Sequence, residues 1–349
     1  MKLRHLILAA FVVALSNSAL AQGNCRPIET TDPKESIWIT AKDITQSGVY
    51  CLTYDIKAPR RFSFSLGGEQ EYLASMLVIE ASNVVFDLGG YAMNVEASGM
   101  AGVRLGDKLN ASYPRHVTIR NGVIKSRTQS AIGFNTPDGS MYSDFKAMHK
   151  QSPKLAEFYK SQFGISDLAE DELQKLLKTL PQSANAYQKT EYLIERMKIE
   201  SGSDSDHVGI HRKAIGMKGA SNIIRDSTIE VVDGHAAIYL FGPNQLIENN
   251  LIIFKGKAAV ESAAAIKLHQ GDGTIIRNND IIILSSGEDA PKAPISLIDS
   301  KNVVVEGNRI YGIKTLTHAW DNKSTVIDKN NDFRSMLRRP WPSAEPGVH

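Results

Sequence analysis

The chain has 349 residues, 42% of them hydrophobic and 22% charged, which excludes an intrinsically disordered chain. Lysine and arginine number 40 against 38 acidic residues, a net charge of +2. That balance offers no basic surplus for nucleic acid and no generic polyanion-binding surface.

Lys2 and Arg4 precede the apolar run Leu6 to Leu15, and Ala19-Leu20-Ala21 follows as a small-residue cleavage site. This is the pattern of a secretory signal peptide over residues 1–21, and the run is too short to span a bilayer. Export to the periplasm or the medium is the expectation, with no integral membrane segment left after cleavage. Residues 22–76 read as an N-terminal cap and first strands. They hold Cys25 and Cys51, the only two cysteines. In an oxidising compartment such a pair forms a disulfide, which would stabilise by about 3 kcal/mol.

Short β-branched strands separated by Asn, Gly and Asp begin the body of the chain over residues 77–138. Between 139 and 206 the pattern turns helical. Leu173, Leu176, Leu177 and Leu180 share one helix face behind a possible cap at Ser166, and Pro181 ends the run. A further helix is read over Asn185 to Ile199, and an earlier one within Met141 to Phe163. An α-helical subdomain inserted at 139–206, acting as a wall or a cover, is therefore expected.

From 207 to 333 an internal repeat takes over. Ile224-Arg225-Asp226-Ser227-Thr228-Ile229 is followed by Ile247-Glu248-Asn249-Asn250-Leu251-Ile252, then by Ile276-Arg277-Asn278-Asn279-Asp280-Ile281 and Val305-Glu306-Gly307-Asn308-Arg309-Ile310. Ile327 begins a weaker copy, and Ile119-Arg120-Asn121-Gly122-Val123-Ile124 is an early one. Such a period means a solenoid whose isoleucines stack inward, coil over coil, and whose asparagines can bond in ladders along the axis. Roughly seven or eight coils should fill residues 77–333. Residues 334–349 read as an irregular tail.

Ile44 to Thr53, Leu77 to Tyr91 and the Ile-x-Asn-Asn-x-Ile repeats resemble right-handed parallel β-helix proteins of the pectin-lyase-like superfamily, over residues 37–135 and 207–333. The resemblance implies an all-β solenoid, a right-handed parallel β-helix, here with its inserted α-helical subdomain. It leaves the chemistry open, because that superfamily includes lyases, hydrolases, epimerases and non-catalytic envelope proteins.

The short Ile-x-Leu strands place their middle residues on the outer side of one sheet, since side chains alternate. Tyr239, Lys267 and His269 are thereby read as exposed neighbours on adjacent coils, the candidate catalytic groups. Arg104, Asn135 and Lys218 extend the strip, and His207, His211 and Arg212 return beside it as candidate substrate-binding residues. A basic, hydroxyl-bearing groove suits an acidic polysaccharide or oligosaccharide. β-Elimination on a uronic acid needs cations at the carboxylate, a base for the C5 proton and an acid for the leaving oxygen. The leading expectation is a polysaccharide lyase. The alternatives are a non-catalytic glycan-binding or cell-envelope protein, a C5-epimerase and a glycoside hydrolase.

The hydrolase motifs that the resemblance would carry are incomplete. Asn135-Thr136-Pro137-Asp138-Gly139 and Asp233-Gly234-His235-Ala236 match only in part, and no Asp-Asp or Arg-Ile-Lys occurs. No cofactor is implied. His207 and His211 have helical zinc spacing, but Val208-Gly209-Ile210 between them reads as strand, so no metal site is expected. Asp87 reads as a turn residue.

Overall fold

The computed structural model describes residues 25–28, 42–58, 75–96, 101–106, 113–127, 130–134, 187–202, 212–285 and 287–334. The chain winds as a parallel β-helix. One side of each coil belongs to a 9-stranded sheet, from Lys42–Ile44 through Ala236–Phe241 and Ala264–His269 to Thr317–Ala319; the remaining sides form a 17-stranded sheet. All strand pairs are parallel and join successive coils, so Ile238 lies over Ile266 and Ile266 over Ile295. Eight coils run from Ser75–Ile79 to Asp332–Arg334, in keeping with the repeat count.

The repeat explains the coil. Its first isoleucine points inward, and Ile194, Ile224, Ile247, Ile276 and Val305 stack in register, each fully buried. Its second isoleucine does the same on the next side, through Ile199, Ile229, Ile252, Ile281 and Ile310. Between them the chain must bend, and one residue per coil adopts a left-handed backbone: Asn121, Arg196, Asp226, Asn249, Asn278, Gly307 and Asn330. Asparagine and glycine tolerate that region best, which is why they recur there.

The following asparagine faces the interior and forms the expected ladder. The Asn250 amide donates to Asn279 Oδ1 (3.0 Å), that of Asn279 to Asn308 Oδ1 (2.9 Å) and that of Asn308 to Asn331 Oδ1 (2.9 Å), each through its side-chain nitrogen. Each backbone N–H joins the same acceptor. The second side-chain hydrogen of Asn250 goes to the Ile224 carbonyl, and that of Asn279 to Ile247. These buried amides are thus paired on every side, as an interior polar group must be.

The helix expected over Asn185 to Ile199 is corrected. Leu193–Ser201 is a strand, paired residue for residue with Val117–Ser126 on one side and with the coil at Ile223–Val232 on the other. Ile194, Met197 and Ile199 all point inward because the left-handed Arg196 bends the strand between them. A bend inside a strand imitates helical spacing. Ile194-Glu195-Arg196-Met197-Lys198-Ile199 is a copy of the repeat, and residues 187–202 belong to the solenoid. The helices expected at 141–184 lie outside the described residues, as do the signal peptide and the tail after 334. Among the described residues there is no α-helix.

Cys25 and Cys51 form the disulfide, with Cα atoms 5.8 Å apart, tying the first short strand to the next coil at Pro27↔Cys51. Asp87 is a structural turn residue: it accepts from the Gly89 N–H, the Arg120 guanidinium and the Asn121 amide. No helix among the described residues is long and apolar enough to cross a membrane.

Candidate functional site

Strand pairing puts one residue per coil in a column on the outer side of the 9-stranded sheet. In order it holds Arg104, Gly133, Gly216, Tyr239, Lys267, Ser296 and His318. A second column beside it holds Lys218, Phe241, His269 and Ile298. The alternation read from sequence is therefore right, and Tyr239, Lys267 and His269 do stand together.

Their exposure is not as expected. Tyr239 and Lys267 are 0% exposed and Arg104 only 3%; His269 and Lys218 are half-buried. The outer column is a packed layer. Ala236, Tyr239 and Phe241 form an apolar cluster separate from the solenoid interior, with Tyr187 packed against it. The ring centroids of Tyr239 and Phe241 are 4.3 Å apart, and those of Phe241 and His269 are 5.1 Å apart. The Tyr187 hydroxyl donates to Gln270 Oε1 at 2.9 Å, closing the far side. Rings two apart on one strand and on the next coil pack together on a sheet face that alternation alone marks as outward.

Within this layer lies a cationic cluster. Lys267 Nζ is 4.7 Å from the centroid of the Tyr239 ring, and Lys213 Nζ is 5.2 Å from it. Both distances suit cation–π attraction. Lys267 Nζ also lies 2.6 Å from His235 Nε2 and donates to Ser262 Oγ at 2.8 Å. His235 is fully buried, with its ring 5.1 Å from that of Tyr239. At 2.6 Å there is room for one proton between the two nitrogens, so Lys267 and His235 cannot both be fully protonated there. With the lysine as ammonium, the imidazole accepts at Nε2 and carries its proton on Nδ1.

The other sequence-derived candidates fall elsewhere. Arg104 is separated from Tyr239 by two glycine rungs, so it is not part of the cluster. Arg212, 1% exposed, donates through Nη1 to the carbonyls of Val232 and Asp233 and ties a turn together. Lys218 Nζ is 5.5 Å from the Tyr113 ring centroid. Asn135, His207 and His211 lie outside the described residues. His235 and Ser262 are the members that pattern reading did not bring to the strip; Lys213 stands next to Arg212 in the basic segment that it did. His235 and Ser262 enter from the turns flanking the strands, the first marked in sequence only by the fragment Asp233-Gly234-His235, while Lys213 begins the strand Lys213–Lys218. Among the described residues no group of three or more His, Cys, Asp or Glu is arranged to hold a metal ion.

Residues 186–336 match the family described as right handed beta helix region. That match and the two parallel sheets agree on the fold that the sequence resemblance implied, a right-handed parallel β-helix. No curated protein matches it. Among solved structures, the enzymatically active domain of bacteriophage CBA120 tailspike protein 2 is 10% identical with a TM-score of 0.41, covering 85% of this chain and 39% of that one. The A-module of the Azotobacter vinelandii mannuronan C-5 epimerase AlgE4 is 10% identical with a TM-score of 0.32, covering 84% and 90%. The tailspike of E. coli bacteriophage HK620, in complex with a pentasaccharide, is 10% identical with a TM-score of 0.33, covering 91% and 60%. The chain thus spans about two fifths of the first of these structures. At such identity the likeness is one of fold alone.

Proposed function

We propose that this is an exported carbohydrate-active protein that binds a uronic-acid-containing glycan on the outer side of its 9-stranded sheet and cleaves it by β-elimination. The observation that carries the reading is the Tyr239 ring held between the ammonium groups of Lys213 and Lys267, with His235 in hydrogen-bond contact with Lys267.

Each chemical requirement has a group to meet it. Lys213 neutralises the uronate carboxylate, which makes the C5 proton more acidic. Tyr239, as the phenolate beside the two ammonium groups, takes up the C5 proton, while His235 holds Lys267 in place by accepting its hydrogen bond. As the C5–H bond breaks, its electrons form the C4=C5 double bond and the C4–O bond breaks. The Tyr239 hydroxyl gives its proton to the departing oxygen. Because Tyr239 and Lys267 are buried, the substrate has to displace packed side chains, Tyr187 among them, to reach them.

That same burial favours a second reading, a non-catalytic glycan-binding or envelope β-helix in which the cluster only packs. Incubation with polygalacturonate, alginate and hyaluronan, followed by ultraviolet absorbance of the unsaturated product, separates the two. Product on at least one polymer supports the lyase. Binding without product supports the second reading, and product with inverted C5 but no double bond would mean an epimerase.

A further inference from the structure

The outer side of the 9-stranded sheet carries another aromatic group at its C-terminal end, outside the Tyr239–Phe241 cluster. His318 pairs in register with Ser296, in the column of Tyr239 and Lys267. The Trp320 indole N–H donates to Ser296 Oγ at 2.9 Å, which pins the ring against that column. His318 and Trp320 meet edge to face, with centroids 4.5 Å apart and planes at 74°. Lys292 Nζ lies 4.5 Å from the Trp320 ring centroid and is ion-paired with Glu261.

This group differs from the buried cluster in being accessible. Trp320 and His318 are only partly buried, and the Lys292 and Glu261 side chains are 45% and 50% exposed. The indole adds nothing to the solenoid interior, since it stands on the outer side, and its one polar atom is already satisfied. What remains is an apolar ring surface framed by an imidazole and an ammonium. A pyranose has the complementary shape: an apolar C–H face and a rim of hydroxyls. An exposed ion pair such as Lys292–Glu261 is held weakly, so a ligand carboxylate can take the place of Glu261.

We infer that Trp320, His318 and Lys292 form a subsite for one acidic pyranose residue. The sugar ring lies on the indole, its carboxylate pairs with Lys292, and a hydroxyl bonds His318. The inference rests on the glycan reading above and names a subsite of it, three coils or about 14 Å from Tyr239 along the axis. A glycan running along the sheet would occupy both places, and Trp320 would hold the chain without touching the reacting bond.

The test is calorimetric binding of the full chain to oligomers of galacturonate, of alginate and of hyaluronan, with Trp320→Ala, Trp320→Phe, Lys292→Ala and Arg277→Ala compared. Trp320→Ala is expected to weaken binding about tenfold or more, and Trp320→Phe to keep most of it. Lys292→Ala should weaken binding and reduce its salt dependence, while Arg277→Ala, on the 17-stranded sheet, should leave affinity unchanged. If Trp320→Ala does not fold, Trp320→Phe and Lys292→Ala decide. Parent-like affinity in all three Trp320 and Lys292 variants would overturn the subsite and leave the glycan reading standing. An absence of binding by the parent to every oligomer would overturn both.

Discussion

The 17-stranded sheet meets solvent with charge. Asp87 pairs with Arg120, Glu195 with Arg225 and Glu248 with Arg277, acid against base on successive coils, and the basic side chains are 27–40% exposed. The 9-stranded sheet of the same coils carries Tyr239 and Lys267 in its outward column at 0% exposure, under aromatic neighbours. Both faces obey the same alternation, so alternation does not account for the difference. The first face is what a solenoid needs to stay in water: side chains of opposite sign, stacked at coil spacing. The second buries lysines and a histidine that contribute nothing to the interior stack, at a desolvation cost that a purely structural face would avoid. That concentration of titratable groups is what the proposed function draws on.

The comparison presupposes a solenoid held by its interior, and the largest effect should come from breaking that. Ile276→Asp places a carboxylate in a fully buried stack between Ile247 and Val305. Loss of the folded state is expected, seen as a collapsed β-signal in circular dichroism. Asn279→Ala should come next. It leaves the Asn250 backbone N–H and one side-chain hydrogen of Asn250 without their acceptor, at about 1–3 kcal/mol each, read as a lowered midpoint in urea.

On the dry face, Tyr239→Phe and Lys267→Met are expected to lower turnover about 10²-fold, the scale of a general acid or base. Both variants keep side-chain volume, so thermal unfolding should shift far less than for Asn279→Ala. On the charged face, acid is the sharper tool. Burial opposes ionisation of Glu200, but hydrogen bonds from Lys198 and Lys125 outweigh it and hold its carboxyl below the ordinary value of 4.5. Asp321, in the turn that follows Thr317–Ala319 of the 9-stranded sheet, is likewise penalised by burial, and the N–H groups of Asp299, Lys323 and Ser324 bring it below 3.8. Both contribute stability that is complete above those ordinary values and is lost as pH falls through the depressed folded values. Urea midpoints should therefore be flat above about pH 5 and fall below pH 4, less steeply in Asp321→Asn. The smallest effect belongs to Arg277→Ala. An exposed pair contributes about 0–1 kcal/mol, and turnover should not change.

The fold was legible because its cause is local and repeated. Ile276 and its equivalents declare the inward stack, and Asn279 and its equivalents the ladder, at a fixed place in each coil. Even the strand Leu193–Ser201 carried the repeat; its left-handed Arg196 hid it by spacing Ile194 and Met197 like neighbours on a helix. The candidate site was legible only in part. Register brought Tyr239, Lys267 and His269 together, since each sits at the centre or end of a short strand. Burial was not legible, because the packing of Tyr187 against the cluster of Ala236, Tyr239 and Phe241 joins residues far apart in sequence. Nor was the Lys267–His235 contact, which depends on a turn placing an imidazole over the next coil. Trp320 escaped for a similar reason: it follows its strand, and only its bond to Ser296 returns it to the column.

The most direct test of the account is the release of unsaturated product from uronic-acid polymers by the parent chain and by Lys267→Met, measured side by side. The account predicts product from the parent on at least one polymer and a rate about 10²-fold lower in the variant, with both proteins unfolding at similar temperatures. Equal rates in the two would contradict it, and so would a parent that binds these polymers without ever cleaving them.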